Sequence, residues 1–326
     1  MVDYTLLSRS EWLILADRFY ERLRPGLAEL APDEWERTTP YLGWRARDVL
    51  AHMTGALPVN FRQVLDRALA DQTGPPKEFN TFARNRKEVE RRRAQPVGEI
   101  LHEFWSELDK ILATYRAMTD EDFLRPAWFF VGPVQVRTLF LVQLSDNIFH
   151  ERDILLPNRK WRGIEGEHVP YLVDWFLREV RPANLRPGAD GFHATILYRL
   201  SGPGGGEWTM EVSGARCQTR SGPAEQPDVV VEAQVEDLIA AGQARAAPWV
   251  GFLARKVERI RGPGRTEDVV AALTGAAALG FALAGRKIRF RGPSATVRPL
   301  MGRFWHFWER TEQTEQNIAL GLGEES

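Results

Sequence analysis

Cysteine is almost absent from the chain. One cysteine, Cys217, stands among 326 residues. A single cysteine excludes a disulfide framework within the chain and fits a reducing cytoplasm. Cys217 lies in a strand-like segment with no histidine beside it, so we expect a structural thiol and not a reactive one.

A large net charge and long apolar runs are also missing. The net charge is −1 at pH 7, so no basic field points to nucleic acid. The N-terminus lacks a basic start followed by an apolar run, so no signal peptide is expected. The apolar stretch 269–284 is shorter than the ~20 residues that a membrane-spanning helix needs, and we expect a buried helix or a cavity wall there. These absences predict a cytoplasmic protein that binds neither nucleic acid nor a membrane. A monomer or a homodimer is expected, although the sequence does not determine the oligomeric state.

The chain does have enough apolar residues for two cores. Hydrophobic residues make up 44% of the sequence, and its length favours two domains over one. We expect a helical domain over 1–158, an α+β domain over 164–310 and a polar tail over 311–326.

Apolar residues at helical spacing dominate the first half. They predict four long helices, 10–30, 46–69, 96–115 and 134–155. Their long connections suit a four-helix bundle. Pro58 lies inside the second helix, so we expect a kink or a break there. The segment 128–133 is predicted to be an apolar loop.

A pair of side chains on the last of these helices could bind a metal ion. Asp146 and His150 are four residues apart, so they lie on one face of a helix. A carboxylate and an imidazole can share a divalent ion, but three converging ligands are needed for a site. His52, on the second helix, is the candidate for the third. From the spacing alone, an ion pair between Asp146 and His150 remains the alternative.

The sequence around these residues resembles a known family. The motif GW-x-x-x-DVLAHMTG contains His52, and a helical D-x-x-x-H-x-x-D segment containing Asp146 and His150 follows later in the chain. Together they resemble the mycothiol-dependent maleylpyruvate isomerase family of the DinB-like superfamily. The resemblance implies that His52, Asp146 and His150 bind a divalent metal, with zinc expected. The family usually has glutamate where Asp146 stands, and aspartate is one methylene shorter.

The segment 78–93 could supply further contacts. It contains Asn80 and a run of basic residues that begins at Arg84 and Arg86. Such a run is typical of a solvated helix face. The family resemblance suggests the functional alternative, in which Asn80, Arg84 and Arg86 are catalytic residues that hold a carboxylate of the thiol or of its partner substrate.

The second half of the chain changes pattern. Strands are predicted over 192–200, 207–212, 216–220 and 227–233, with helices over 169–180 and 235–241. The segments DVVVEA and GRKIRFRG resemble the sterol carrier protein type-2 fold, the usual partner domain in the same family. The chain departs from that fold between Gly242 and Gly280, where we expect an insertion that puts the usual lipid-type cavity in doubt.

These observations predict a DinB-like four-helix bundle followed by a sterol-carrier-like α+β domain. The implied function is that of an enzyme, a metal-dependent thiol S-transferase or thiol-assisted isomerase. A metal-bound low-molecular-weight thiolate, mycothiol or a similar thiol, would attack an electrophilic substrate. Two alternatives remain open: a metal-free module that binds an apolar ligand, and a metal-dependent hydrolase that uses water.

Overall fold

The computed structural model describes most of both predicted domains. Contacts divide the described residues into a helical unit, 8–162, and a sheet-containing unit built from 163–242, 288–293 and the first residues, 3–7. The described ranges are 3–39, 44–74, 81–129, 132–183, 192–214, 216–242 and 288–293.

The helical unit contains eight α-helices and one hairpin in its described residues. In chain order these elements are α1 (Arg9–Ala28), α2 (Pro32–Trp35), α3 (Ala46–Ala56), α4 (Gln63–Leu69), α5 (Thr81–Arg92), α6 (Val97–Ala117), α7 (Asp120–Phe123), β1 (Pro126–Phe129), β2 (Gly132–Gln135) and α8 (Val136–Leu155). Helices α1, α6 and α8 correspond to the predicted helices 10–30, 96–115 and 134–155. The predicted helix 46–69 corresponds to α3 and α4 with the turn between them, so the predicted helical bundle is confirmed.

The predicted break at Pro58 is present as a π-helical turn. Helix α3 ends at Ala56, and the turn Leu57–Arg62 leads into α4. Proline has no backbone N–H, so the regular i→i−4 bond cannot form at this point and the helix widens. The Val59 carbonyl accepts a hydrogen bond of 2.6 Å from Arg84 Nη2, which ties α5 to the turn.

The prediction of an apolar loop at 128–133 is wrong, because the described residues of this segment lie on two paired strands. Trp128 pairs with Pro133 and Phe129 pairs with Gly132 in an antiparallel ladder. Both aromatic side chains are buried, and the Phe129 ring stacks on Phe61 at a centroid distance of 5.6 Å. Strands of four residues that contain proline have almost no sequence signal, so the pattern did not predict them.

Helix α8 is buried on nearly every side. Sixteen of its 20 residues are buried, including several polar ones. Glu151 is 1% exposed and accepts two hydrogen bonds from the Arg22 guanidinium, at 2.5 and 2.7 Å. A buried charge is tolerated only when it is paired, so Arg22 joins α1 to α8 through this contact.

A second polar contact joins the same two helices. The Asn147 amide donates a hydrogen bond of 2.8 Å to the Tyr20 hydroxyl. Burial raises the pKa of Tyr20 to about 12, although hydrogen bonds from Asn147 and Gln143 oppose the shift. The hydroxyl of Tyr115, on α6, is buried and makes no hydrogen bond within the part of the chain that the structure describes.

Gly55 allows α5 to approach α3 closely. A Cβ atom at this position would overlap Glu88 and lie 3.0 Å from Nη1 of Arg92. Arg92 is fully buried and forms ion pairs of 2.7 Å with both Glu88 and Glu103. The absence of a side chain at Gly55, three residues after His52, therefore leaves space for the buried ion pairs of Arg92.

The sheet-containing unit combines short helices with a five-stranded sheet. Its elements are α9 (Val169–Trp175), a π-helical turn (Phe176–Val180), α10 (Arg181–Ala183), β3 (His193–Ser201), β4 (Gly206–Ser213), β5 (Arg216–Ser221), β6 (Val229–Gln234), α11 (Val235–Gly242) and β7 (Ile288–Arg291). The strand order is β5-β4-β3-β6-β7, with β3 and β6 parallel and the other pairs antiparallel. The predicted α+β domain is confirmed.

Asp174 connects the first residues of the chain to this unit. Its buried carboxylate accepts hydrogen bonds from Tyr4 N at 3.0 Å, Trp208 Nε1 at 3.0 Å and Arg178 Nε at 2.8 Å. Burial raises the pKa of Asp174, and the hydrogen bonds from Arg178 and Trp208 oppose that shift. Residues 3–7 thus form part of the sheet-containing unit, while the predicted domain bounds stay a prediction.

Several sequence predictions fall outside the described residues. They are the insertion between Gly242 and Gly280, the apolar stretch 269–284 and the polar tail 311–326. Among the helices that the structure describes, none is both long and apolar enough to cross a membrane.

The two buried tyrosines should respond differently to loss of the hydroxyl. Tyr20→Phe leaves the buried Asn147 amide without its acceptor, so we expect a loss of ~1–3 kcal/mol in the free energy of unfolding. Tyr115→Phe removes a hydroxyl that makes no hydrogen bond within the described residues, so stability should change by less than ~0.5 kcal/mol or rise. Chemical denaturation of the two variants measures the difference; equal losses would contradict the assigned hydrogen bonding.

Gly55→Ala should destabilise the helical unit. The new methyl group would overlap Glu88, and overpacking of this kind costs ~1–3 kcal/mol. Gly98→Ala is the control, because Gly98 lies in the first turn of α6 and no other part of the chain comes within 4 Å of the position that a Cβ would take. Alanine favours a helix over glycine by up to ~0.5–1 kcal/mol. Thermal unfolding should show opposite shifts for the two variants, and a stabilised Gly55→Ala protein would show that α5 does not pack this closely.

Candidate metal centre

Helix α8 holds Asp146 and His150 against each other. The Nε2 atom of His150 lies 3.2 Å from Oδ1 of Asp146. The His150 side chain is fully buried, whereas the Asp146 side chain is 28% exposed. The i, i+4 spacing therefore produces the contact expected from helix geometry, with the carboxylate on the side that solvent reaches.

Helix α3 brings His52 to the same place. The His52 side chain is buried, and its ring centroid lies 4.8 Å from that of His150, with the rings nearly perpendicular at 82°. Each of His52, Asp146 and His150 offers one ligand atom, and these atoms all lie within 4.8 Å of one another. The structure therefore brings together the three side chains that the sequence analysis selected.

The entry of α3 sets the position of His52. The Asp48 carboxylate accepts a hydrogen bond of 3.1 Å from the Arg45 backbone N–H and so caps the helix. The Trp44 ring lies edge-on to the His52 ring at a centroid distance of 5.6 Å. The cap stabilises the start of the helix that carries His52, and the Trp44 ring packs against the imidazole.

The donor set has the chemistry of a metal site. Two imidazole nitrogens and one carboxylate oxygen are the ligand types of catalytic zinc centres, which keep one position open for water or substrate. A lone pair on His150 Nε2 would repel Asp146 Oδ1 at 3.2 Å unless a hydrogen or a cation lies between the two atoms. The residues present therefore fit a divalent ion.

The second nitrogen of the His150 ring faces another carboxylate. His150 Nδ1 lies 3.3 Å from Oδ2 of Asp153, which is one helical turn further along α8. Both side chains are fully buried. The imidazole is therefore flanked by a carboxylate at each of its nitrogens.

The predicted substrate contacts are only partly described. Asn80 lies outside the described residues, and Arg86 lies on α5 with a partly exposed side chain. Arg84 Nη2 donates to the Val59 carbonyl at 2.6 Å and to Gln63 Oε1 at 2.9 Å. Burial lowers the pKa of Arg84. Its guanidinium thus anchors α5 to the π-helical turn, and a role for these three residues in binding a substrate stays a prediction.

Sequence reasoning missed a second cluster, which lies in the other unit. Glu165, Glu167 and His168 each offer a ligand atom, and these atoms lie within 4.8 Å of one another. The signal was available as the segment Glu-Gly-Glu-His, but the three residues are so close in sequence that a local turn alone accounts for their proximity. His168 is buried, and its Nδ1 lies 3.9 Å from Glu165 Oε2.

Comparison with protein families supports both sequence resemblances. A family model described as the mycothiol maleylpyruvate isomerase N-terminal domain matches residues 16–155, a range that includes all three side chains of the candidate centre. A model described as the SCP-2 sterol transfer family matches residues 176–262. The two matches follow each other in the order that the sequence predicted, so the resemblances are confirmed.

Two solved structures have a similar fold. A crystal structure of the mycothiol-dependent maleylpyruvate isomerase has a TM-score of 0.55 and 14% sequence identity, and the match covers 76% of this chain and 93% of that chain. A variant of that enzyme with a histidine replaced by alanine gives a TM-score of 0.53 at the same identity and coverage. At this identity the likeness shows the fold, a helical bundle followed by an SCP-2-like domain. No curated protein sequence matches the chain.

Proposed function

We propose that this chain, which joins a mycothiol maleylpyruvate isomerase N-terminal domain to an SCP-2 domain, is an enzyme that uses a divalent metal ion to activate a low-molecular-weight thiol. The observation that carries the proposal is the convergence of His52, Asp146 and His150, whose ligand atoms lie within 4.8 Å of one another. Two imidazoles and a carboxylate suit zinc, which we propose as the ion.

Each of the three residues has a distinct task. His52 and His150, which are both buried, would supply nitrogen ligands from two different helices. Asp146 supplies an anionic oxygen that offsets the charge of the ion. Because Asp146 is the partly exposed member, the thiol should enter from its side. A bound divalent ion lowers the pKa of a coordinated thiol, so that the thiolate forms at neutral pH.

The reaction class follows from this chemistry and from the relatives. In this proposal a thiolate attacks an electrophilic carbon. This step is common to a thiol S-transferase and to a thiol-assisted isomerase. The solved relative is a mycothiol-dependent isomerase, and this favours an isomerase that uses mycothiol or a similar thiol. We propose Asn80, Arg84 and Arg86 as contacts for a carboxylate of the thiol or substrate. The cytoplasmic location and the monomeric or homodimeric state stay predictions.

The single cysteine of the chain is not expected to compete with the added thiol as a nucleophile. This cysteine is Cys217, and it lies on β5 in the other unit. Burial raises the pKa of Cys217 to about 11. At neutral pH this thiol is therefore protonated, and a protonated thiol is a poor nucleophile.

The metal content should depend on the three proposed ligands. We expect about one zinc ion per chain, lost in His52→Ala, and a ~10- to 100-fold weaker affinity in Asp146→Asn. Asp146→Glu should retain the ion, because the family usually has glutamate there. His102→Ala is the control, since it removes an exposed histidine of the same unit. Elemental analysis and zinc titration measure these effects, and equal content and affinity in wild type and His52→Ala would refute the site.

Turnover should require both the ion and an added thiol. Activity toward a panel of electrophiles, assayed with mycothiol, bacillithiol and glutathione in turn, should disappear on chelation and return with zinc. Cys217→Ser should leave the rate unchanged, whereas His150→Ala should abolish it. Turnover of esters or amides without added thiol would instead support a hydrolase. A metal-free protein that retains an apolar ligand and shows no turnover would support a binding module.

A further inference from the structure

We infer that Asp153 is a positioning residue for His150: its carboxylate accepts a hydrogen bond from His150 Nδ1–H and leaves Nε2 as the atom that faces the cluster. The inference rests on the proposed metal centre but not on the thiol chemistry. The observation that carries it is the pair of contacts on one ring, Nδ1 to Asp153 Oδ2 at 3.3 Å and Nε2 to Asp146 Oδ1 at 3.2 Å.

The spacing of the residues on α8 produces this arrangement. Asp146 lies four residues before His150, and Asp153 lies three residues after it. All three side chains are therefore on the same face of α8. The two carboxylates reach opposite nitrogens of the ring, because one lies a turn below the ring and the other a turn above it. A single helix therefore fixes the ring at both ends without help from a loop.

The carboxylates of Asp146 and Asp153 differ in burial, and this difference indicates different roles for them. Asp153 and His150 are fully buried, whereas the Asp146 side chain is 28% exposed. A buried carboxylate is costly unless hydrogen bonds or cations compensate for its lost hydration. Arg152 Nη1 lies 3.9 Å from Oδ1 of Asp153, so this carboxylate has a cation near one oxygen and the imidazole at the other. Asp146, on the solvent side, is the one that an incoming ion can reach.

The hydrogen bond determines which nitrogen can act as a ligand. A neutral imidazole has one N–H and one lone pair. With the N–H on Nδ1 directed at Asp153, the lone pair is on Nε2, 3.2 Å from Asp146 and on the side of the ring that faces the cluster. A carboxylate in this position also makes the imidazole a better donor to a metal, and loss of such a partner typically weakens metal affinity ~10- to 100-fold.

The first test is made on the wild-type, full-length protein loaded with zinc. In ¹⁵N-histidine-labelled protein, we expect the His150 spectrum to show a protonated Nδ1 and a zinc-bound Nε2, assigned by comparison with His150→Gln. A zinc-bound Nδ1, or an Nε2 that carries the proton, would overturn the inference. This measurement needs no variant at position 153, so it decides the question even if such variants fold poorly.

The second test compares two variants with a matched control. Asp153→Asn keeps the shape but loses the charge, and Asp153→Ala loses the acceptor; we expect ~10-fold and ~100-fold weaker zinc binding. Glu151→Gln is the control, because Glu151 is a comparably buried carboxylate on α8 whose two oxygens accept hydrogen bonds from Arg22. It should lower the melting temperature while zinc affinity stays unchanged. Affinity that is unchanged in both folded Asp153 variants, or reduced equally in the control, would overturn the inference.

These two tests are independent of the test of the proposed function, because the zinc affinity and the ¹⁵N spectrum of His150 are measured without thiol or substrate. An Asp153-dependent zinc affinity in a protein that shows no thiol-dependent turnover would support the positioning role and refute only the proposed activity. A zinc affinity that does not depend on His52 would refute the proposed centre itself.

Discussion

The burial of charged side chains on α8 is the constraint on which the helical unit depends. A helix that is packed on nearly all sides has no solvent to hydrate its carboxylates, so each must find a partner on itself or on a neighbouring helix. Glu151 finds Arg22 on α1, and Asp153 finds the imidazole of His150. Asp146 is the exception, since its side chain remains partly in solvent. The same helix therefore provides both the rigid support of the centre and its accessible ligand.

The sequence predicted the parts of this arrangement that follow from helical periodicity. The spacing of Asp146 and His150 required one helix face, and the motif around His52 placed the third side chain on another helix of the bundle. Contacts that depend on how helices pack had no such signal. Neither the Tyr20–Asn147 hydrogen bond nor the closeness of α5 to Gly55 can be read from spacing, because both depend on the distance between helices that are far apart in sequence.

Short elements were also beyond sequence reasoning. The segment 128–133 was predicted as a loop, because the strands that include its described residues are brief and contain proline. Pairing between these strands compensates for their low propensity. The basic run in α5 is typical of a solvated face. Part of it instead forms internal contacts: Arg92 is fully buried between two glutamates, and Arg84 holds a carbonyl of the π-helical turn. Charge alone does not distinguish these roles, since long cationic side chains can bury their stems.

The contact between Tyr4 and Asp174 has a consequence for how the chain is assembled and handled. The sheet-containing unit uses residues from before the helical unit as well as after it, so in sequence terms the helices are an insertion into the other unit. Tyr4 is synthesised before α9, so its backbone N–H acquires its acceptor only after the intervening helices have been made. Removal of residues 3–7 would therefore act on the sheet-containing unit, and not on the helices that follow these residues directly in sequence.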